Sequence, residues 1–335
     1  MTSNPRGDPK RYSLVGTAWS KAGASNRRVT VEGSVRGVLT EKEVQVPTVG
    51  FIGFGIMGAP MASNLAKAGF DVVGFSRTPG RVSARAADGV TVAATLEELV
   101  RSSDVVITML PDSPDVESVV LGENGVFANA SAGLLYVDMS TIRPDVAARV
   151  AREAEPRGID TLDAPVSGGE AGAIEGNLSI MAGGTADAFA RARPYLDAMG
   201  GTVVHVGPAG SGQTVKAANQ LIVAANIQGL AEAVVFLEAH GVQMGPAIEV
   251  LGGGLAGSTV LKRKSTNMLE RSFPPGFRLD LFHKDMGIIQ AAARDKGVTT
   301  LLGSLVAQII ASLVAQGDGN LDHSAMIRVV DTLSK

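Results

Sequence analysis

The chain has no cysteine, which excludes disulfide bridges, thiol catalysis and thiolate metal ligation. Histidine is scarce: His205, His240, His283 and His323 are scattered without metal-site spacing, and no metal is expected. A strong charge of one sign is also missing. With 30 Lys and Arg against 33 Asp and Glu, the net charge of -3 gives no electrostatic basis for binding nucleic acid or a membrane surface. No apolar run reaches a membrane-spanning length without polar interruption, since even residues 213–240 carry Gln228, Glu232 and Glu238. Residues 1–46 lack hydrophobic periodicity and, apart from Asp8, lack acids before Glu32. They are read as a disordered, loosely attached N-terminal extension. They hold no apolar core for a secretory signal. Their basic character is that of an organelle transit peptide, but the amphipathic pattern is absent, so a start codon placed too far upstream is the simpler expectation and a cytoplasmic location is expected. Trp19, the single tryptophan, falls in this extension and is given no role.

What is present fits a glycine-rich α/β protein: 45% hydrophobic residues and 41 glycines in 335, enough chain for two domains with sizeable cores. Order is expected to begin at Thr48-Val49-Gly50-Phe51-Ile52, a short apolar run that reads as a buried strand. Gly53-Phe54-Gly55-Ile56-Met57-Gly58 follows, then a helical pattern to Gly69 and a second strand from Asp71 to Phe75. A lone GxGxxG carries little weight. Between a strand and a helix it reads as a dinucleotide site: Gly53 for the tight turn, Gly55 for close approach of a pyrophosphate, Gly58 for helix packing. The second strand ends in Ser76-Arg77-Thr78. With no carboxylate there for a ribose 2′-hydroxyl, and an arginine suited to a phosphate, NADP(H) is the expected cofactor, with NAD(H) left open.

Further apolar runs at 105–110, 134–137, 159–162, 179–182 and 203–206 alternate with helical patterns, which predicts a mostly parallel sheet covered on both faces. Ligands in such sheets lie beyond the carboxyl ends of the strands. The loop Asp163-Ala164-Pro165-Val166-Ser167-Gly168-Gly169 lies at such an end. A hydroxyl and consecutive, uncrowded N–H groups there can form an anion nest for a substrate carboxylate, although from the loop alone an ordinary proline-glycine turn is the favoured reading.

From Gln213 to His240 one unbroken helical pattern runs to Gly241, apolar all round and so expected to be buried, partly beneath a second subunit of a homodimer or homotetramer. Lys216, Asn219 and Gln220 share one face of it. The helix alone leaves open a surface lysine or a catalytic ammonium. Only helical patterns follow, at 245–253, 258–269, 280–295, 299–316 and 322–333. The expected architecture is α/β: a Rossmann-type doubly wound sheet over 47–208, then an all-helical substrate and dimerisation domain over 209–335, joined by the long helix.

These motifs occur in one order over most of the chain: GFIGFGIMGAPMASNL at 50–65, TMLPD at 108–112, DAPVSGGEAGA at 163–173, GSGQTVKAANQ at 210–220 and HKD at 283–285. From about Val49 onward the chain resembles the β-hydroxyacid dehydrogenases. Within that family GGLAGSTVL at 253–261, PGFRLDLFHKD at 275–285 and Asp322-His323-Ser324-Ala325 are most similar to the tartronate semialdehyde reductase branch. The resemblance implies Lys216 as catalytic acid/base, Ser167, Gly168 and Gly169 as the substrate-carboxylate loop, and Asn219 and Gln220 as partners of lysine and substrate. It implies dinucleotide contacts from the fingerprint, Leu110, Pro111, Thr141 and Lys284, with Phe277 and Asp285 lining the far wall. Ser76 departs from the acid many relatives carry. The implied reaction is NADPH-dependent reduction of a small carboxylated aldehyde, tartronate semialdehyde to glycerate. 3-Hydroxyisobutyrate, glyoxylate and succinic semialdehyde are the alternative substrates. Imine reduction usually replaces the lysine, and a non-catalytic dinucleotide-binding scaffold would not need it.

Overall fold

The structure is a computed structural model that describes residues 28–35, 38–78, 80–85 and 89–335. Two units are distinct, Met1–Val46 and Pro47–Lys335. In the first, β1 (Arg28–Val35) and β2 (Val38–Gln45) pair antiparallel, with Arg28 opposite Gln45 and Val35 opposite Val38. This corrects the expectation of irregular chain up to residue 46: Val29, Thr30, Val31, Thr40 and Val44 are β-branched residues that favour extended backbone. Trp19 and the rest of residues 1–27 lie outside the described residues.

The second unit opens with β3 (Thr48–Ile52), α1 (Gly58–Lys67), β4 (Asp71–Phe75), α2 (Arg81–Arg85), β5 (Val90–Val92) and α3 (Leu96–Arg101). It continues through β6 (Val105–Thr108), α4 (Ser113–Leu121), α5 (Val126–Asn129), β7 (Leu135–Asp138), α6 (Pro144–Ala154) and β8 (Asp160–Asp163). The strand-containing part closes with β9 (Val166–Ser167), α7 (Gly169–Glu175), β10 (Leu178–Gly184), α8 (Ala186–Asp197) and β11 (Gly200–Gly207). The sheet order is β11-β10-β8-β7-β6-β3-β4-β5, with β9 alongside β10. From β8 to β5 every pairing is parallel, whereas β10 runs antiparallel to β8, with Gly183 opposite Asp163, and parallel to β11. Every residue of β6 and β7 is buried, as parallel strands covered on both faces must be. The chain winds outward in opposite directions from β3 and from β6. The crevice at that switch point lies beyond their carboxyl ends, between Gly53 and Leu110.

Then α9 (Ser211–Ala239), 29 residues, extends about 43 Å at 1.5 Å per residue. It is followed by α10 (Met244–Gly253), α11 (Thr259–Leu269), α12 (Leu279–Asp295), α13 (Leu301–Ala315) and α14 (Ile327–Leu333). Ala224, Ile227, Ala231 and Val234 of α9 pack with Phe282, Met286, Ile310 and Met326 in a core of their own. Within the single chain burial is not all round: Ile222 is 62% and Phe236 61% exposed, because the neighbouring helices cover one side of α9. By length and composition alone α9 is long and apolar enough to cross a membrane, as the core helix of a domain can also be, and Gln228, Glu232 and Glu238 interrupt it as expected.

Candidate active site

The turn after β3 is shaped by two close approaches. Gly53 has φ +106°, and a Cβ there would lie 2.3 Å from the Met109 carbonyl oxygen; a Cβ on Gly58 would lie 1.9 Å from the carbonyl oxygen of Gly53. No side chain larger than hydrogen fits either position. A Cβ on Gly55 would meet nothing within 4 Å, and no side chain caps the start of α1. The open turn and uncapped helix start suit the pyrophosphate of a dinucleotide. Phe54 contributes backbone only: its ring is buried, edge-on to Phe51 at 5.8 Å. Ile56 is exposed and Met57 half-buried beside it. At the end of β4 the Ser76 hydroxyl accepts from the Thr78 N–H at 3.3 Å. The Arg77 side chain, 65% exposed, donates to Asp115 Oδ1 at 2.7 Å. Asp115, 38 residues away, is a partner that the reading of Arg77 lacked.

Across the crevice the predicted residues join in one bonded chain. Lys216 Nζ donates to the Val166 carbonyl at 2.7 Å and to Gln220 Oε1 at 3.1 Å. The amide of Asn219 donates to the same Gln220 oxygen at 2.8 Å, which fixes the rotamer of Gln220. Gln220 Nε2 in turn donates to Asp285 Oδ2 at 2.6 Å, and Asp285 Oδ1 lies 3.0 Å from Lys284 Nζ. Lys284 also donates to the carbonyls of Thr141 at 2.7 Å and Pro111 at 3.0 Å, which tie α12 to the ends of β7 and β6. Leu110 sits at the same edge, its N–H held by the Ser140 hydroxyl at 2.8 Å.

Lys216 is only 7% exposed. Burial pushes its ammonium down from the ordinary lysine value to about 8, Asp285 pulls it back up and Lys284 lowers it further. Two of its three N–H donors are occupied, so one remains for a bound molecule.

The Ser167–Gly169 loop lies directly against this lysine, since Val166, whose carbonyl the lysine bonds, precedes Ser167. Gly168 and Gly169 have φ +143° and +62°, and α7 begins at Gly169 with no side-chain cap. Phe277 stands apart from the bonded chain, stacked edge-on with Phe282 at 5.7 Å and His323 at 5.4 Å.

The sequence reading singled out neither Gln213 nor the carboxylate of Asp163. Asp163 Oδ1 accepts from the Gly210 N–H at 2.7 Å and Oδ2 from the Gln213 N–H at 2.8 Å, holding the first turn of α9. Burial pushes this carboxyl up to about 7; the two N–H bonds oppose the shift and Asp138 adds to it. The Gln213 side chain bridges to the Ile142 N–H at 3.1 Å and the Ser140 carbonyl at 2.8 Å. The signal for Gln213 was its place: 213, 216 and 220 recur at helical spacing, and all three are buried.

Two family models match, described as the NAD binding domain of 6-phosphogluconate dehydrogenase over residues 48–207 and the NAD-binding of NADP-dependent 3-hydroxyisobutyrate dehydrogenase over 210–330. The chain is 39% identical over 287 residues to 2-hydroxy-3-oxopropionate reductase of Escherichia coli, covering 85% of this chain and 98% of the relative. It is 37% identical over 290 residues to the NAD-dependent L-serine dehydrogenase of Pseudomonas aeruginosa, covering 84% of this chain and 97% of that protein. A 3-hydroxyisobutyrate dehydrogenase from Mycobacterium tuberculosis, solved with L-serine, superposes with a TM-score of 0.77 at 37% identity, covering 85% of this chain and 99% of its own. With relatives aligned over nearly their whole length, the chain belongs to the β-hydroxyacid dehydrogenase family of NAD(P)-dependent oxidoreductases.

Proposed function

We propose that the protein reduces tartronate semialdehyde to glycerate, reversibly, with NADPH and with Lys216 as the proton donor. The observation that carries this reading is the bonded chain from the Val166 carbonyl through Lys216, Gln220, Asp285 and Lys284 to Thr141, which connects the carboxylate loop to the strand ends at the dinucleotide crevice. The residues around Gly53–Gly58, Leu110, Pro111, Thr141 and Lys284 would hold the dinucleotide, whose nicotinamide supplies a hydride to the aldehyde carbon. The free donor of Lys216 faces the carbonyl oxygen, stabilises the negative charge that develops there and delivers the proton. In the oxidative direction the same amine takes the proton from the hydroxyl. Ser167, Gly168 and Gly169 hold the substrate carboxylate, Asn219 and Gln220 hold the lysine, and Phe277 with Asp285 closes the wall.

Arg77 at the end of β4, with no acid beside it in sequence, favours NADPH. We read 47–208 as the dinucleotide half and 209–335 as the substrate and dimerisation half. Exposed Ile222, Phe236, Leu301 and Leu305 give a homodimer or homotetramer an apolar surface to bury. The similarity to 2-hydroxy-3-oxopropionate reductase favours tartronate semialdehyde. The solved neighbour with L-serine favours a three-carbon β-hydroxyacid of another kind as the second reading. Steady-state kinetics with NADPH on tartronate, methylmalonate and succinic semialdehydes and on glyoxylate tests the choice. The expected order puts tartronate semialdehyde first in kcat/KM by about tenfold, since single small groups in a pocket are worth about 1–3 kcal/mol. A higher value on any of the others overturns the assignment.

A further inference from the structure

Lys262, Arg263 and Lys264 stand in a row on α11. Lys264 is neutralised, because its ammonium donates to both oxygens of buried Asp322 at 3.0 and 2.8 Å. Arg263 turns the other way. Its Nη1 donates across 95 residues to the Gly168 carbonyl at 2.9 Å, in the middle of the Ser167–Gly169 loop. Among the described residues no carboxylate pairs with it, and most of its five N–H donors remain available.

The loop itself offers only neutral donors, a hydroxyl and backbone N–H groups. The two cations nearby, buried Lys216 and half-buried Lys284, are committed. Lys284 has all three donors on Pro111, Thr141 and Asp285, and Lys216 has two on Val166 and Gln220, the third serving the reacting oxygen. An acid seated on this loop would therefore lack a counter-charge of its own unless Arg263 supplies it.

We propose that Arg263 is that counter-ion: it closes over the Ser167–Gly169 loop from α11, binds the substrate's carboxylate with its planar fork, and makes the enzyme select acids over neutral analogues of the same shape. The proposal rests on the carboxylate-loop reading above. Arg263 touches no reacting atom. It is a specificity residue, and its effect falls on the charged end of the substrate.

The test is oxidation of glycerate and of glyceramide with NADP+, or of the acid that the aldehyde panel ranks first and its carboxamide, by wild type, Arg263→Gln and Arg263→Lys. In Arg263→Gln the KM for the acid is expected to rise about tenfold while that for the amide moves less than about twofold, so the acid-to-amide preference collapses. Arg263→Lys, which keeps the charge, is expected to retain most of the preference. NADPH affinity by fluorescence titration separates a folding defect from a selectivity change. An Arg263→Gln enzyme with the wild-type acid-to-amide ratio overturns the proposal. A wild type that treats acid and amide alike sinks the carboxylate-loop reading itself, and the proposal with it.

Discussion

Gln220 on α9 donates to Asp285 on α12 at 2.6 Å, and through that bond a carboxylate 65 residues away sets the environment of Lys216. Asp285 raises the affinity of Lys216 for its proton, against burial. Asp285→Asn keeps an acceptor for Gln220 but removes the charge, so the ammonium loses its proton more readily. The alkaline limb of the reduction profile is expected to move to lower pH. A pH–rate profile of the variant checks this, and an unmoved limb would contradict the electrostatic link.

With Lys216 as the proposed acid/base, the two directions of the reaction have opposite pH requirements. Reduction needs the ammonium form of Lys216, which is populated below about 8, so kcat for aldehyde reduction falls as pH rises through that value. Oxidation of the alcohol needs the free amine and rises over the same interval. Paired profiles crossing near this pH are the expected outcome. Parallel profiles would exclude a single acid/base group serving both directions.

Arg77 and Asp115 are bonded at 2.7 Å on an exposed edge. A 2′-phosphate would compete with Asp115 for the guanidinium. Arg77→Ala is expected to raise the KM for NADPH by about tenfold, the scale of a lost charge-assisted hydrogen bond, with little change for NADH. Asp115→Asn should lower the KM for NADPH. Equal effects of Arg77→Ala on both cofactors would remove the basis for NADP selectivity.

Asp163 holds the first turn of α9 through two buried N–H groups. Asp163→Ala leaves both unpaired and is expected to cost about 1–3 kcal/mol in chemical denaturation. The carboxyl's value of about 7 lies above its ordinary 3.8, so ionisation works against the fold. The stability it contributes is complete below about pH 4 and is lost as pH rises through about 7. Asp163→Asn, which cannot ionise, should flatten stability over that interval, and an unchanged slope would show that Asp163 is not its source.

How much of this was legible in the sequence follows from what each residue needs. Gly53 and Gly58 were readable because a side chain has no room at either position, and that demand leaves a fixed spacing. Lys216, Asn219 and Gln220 were readable as a polar face on an apolar helix. The partners were not: Gln213 reaches Ser140 across 73 residues and Arg77 reaches Asp115 across 38, and such bonds leave no periodicity. Strand β5, three residues long, and β9, two residues long, were too short to show alternation. The reversed direction of β10 against β8 depends on the loop and α7 between them, which turn the chain back. Which faces of α9 the chain itself leaves uncovered, Ile222 and Phe236 among them, was not legible, because an apolar composition does not say which faces the other helices reach.

On the proposed mechanism the buried Lys216 ammonium performs the proton transfer. Turnover of tartronate semialdehyde by Lys216→Ala, measured at saturating NADPH beside the fluorescence-determined NADPH affinity, tests it most directly. The expected result is a fall in kcat of about two or more orders of magnitude with cofactor affinity within a few-fold of wild type. Wild-type kcat in that variant would contradict it.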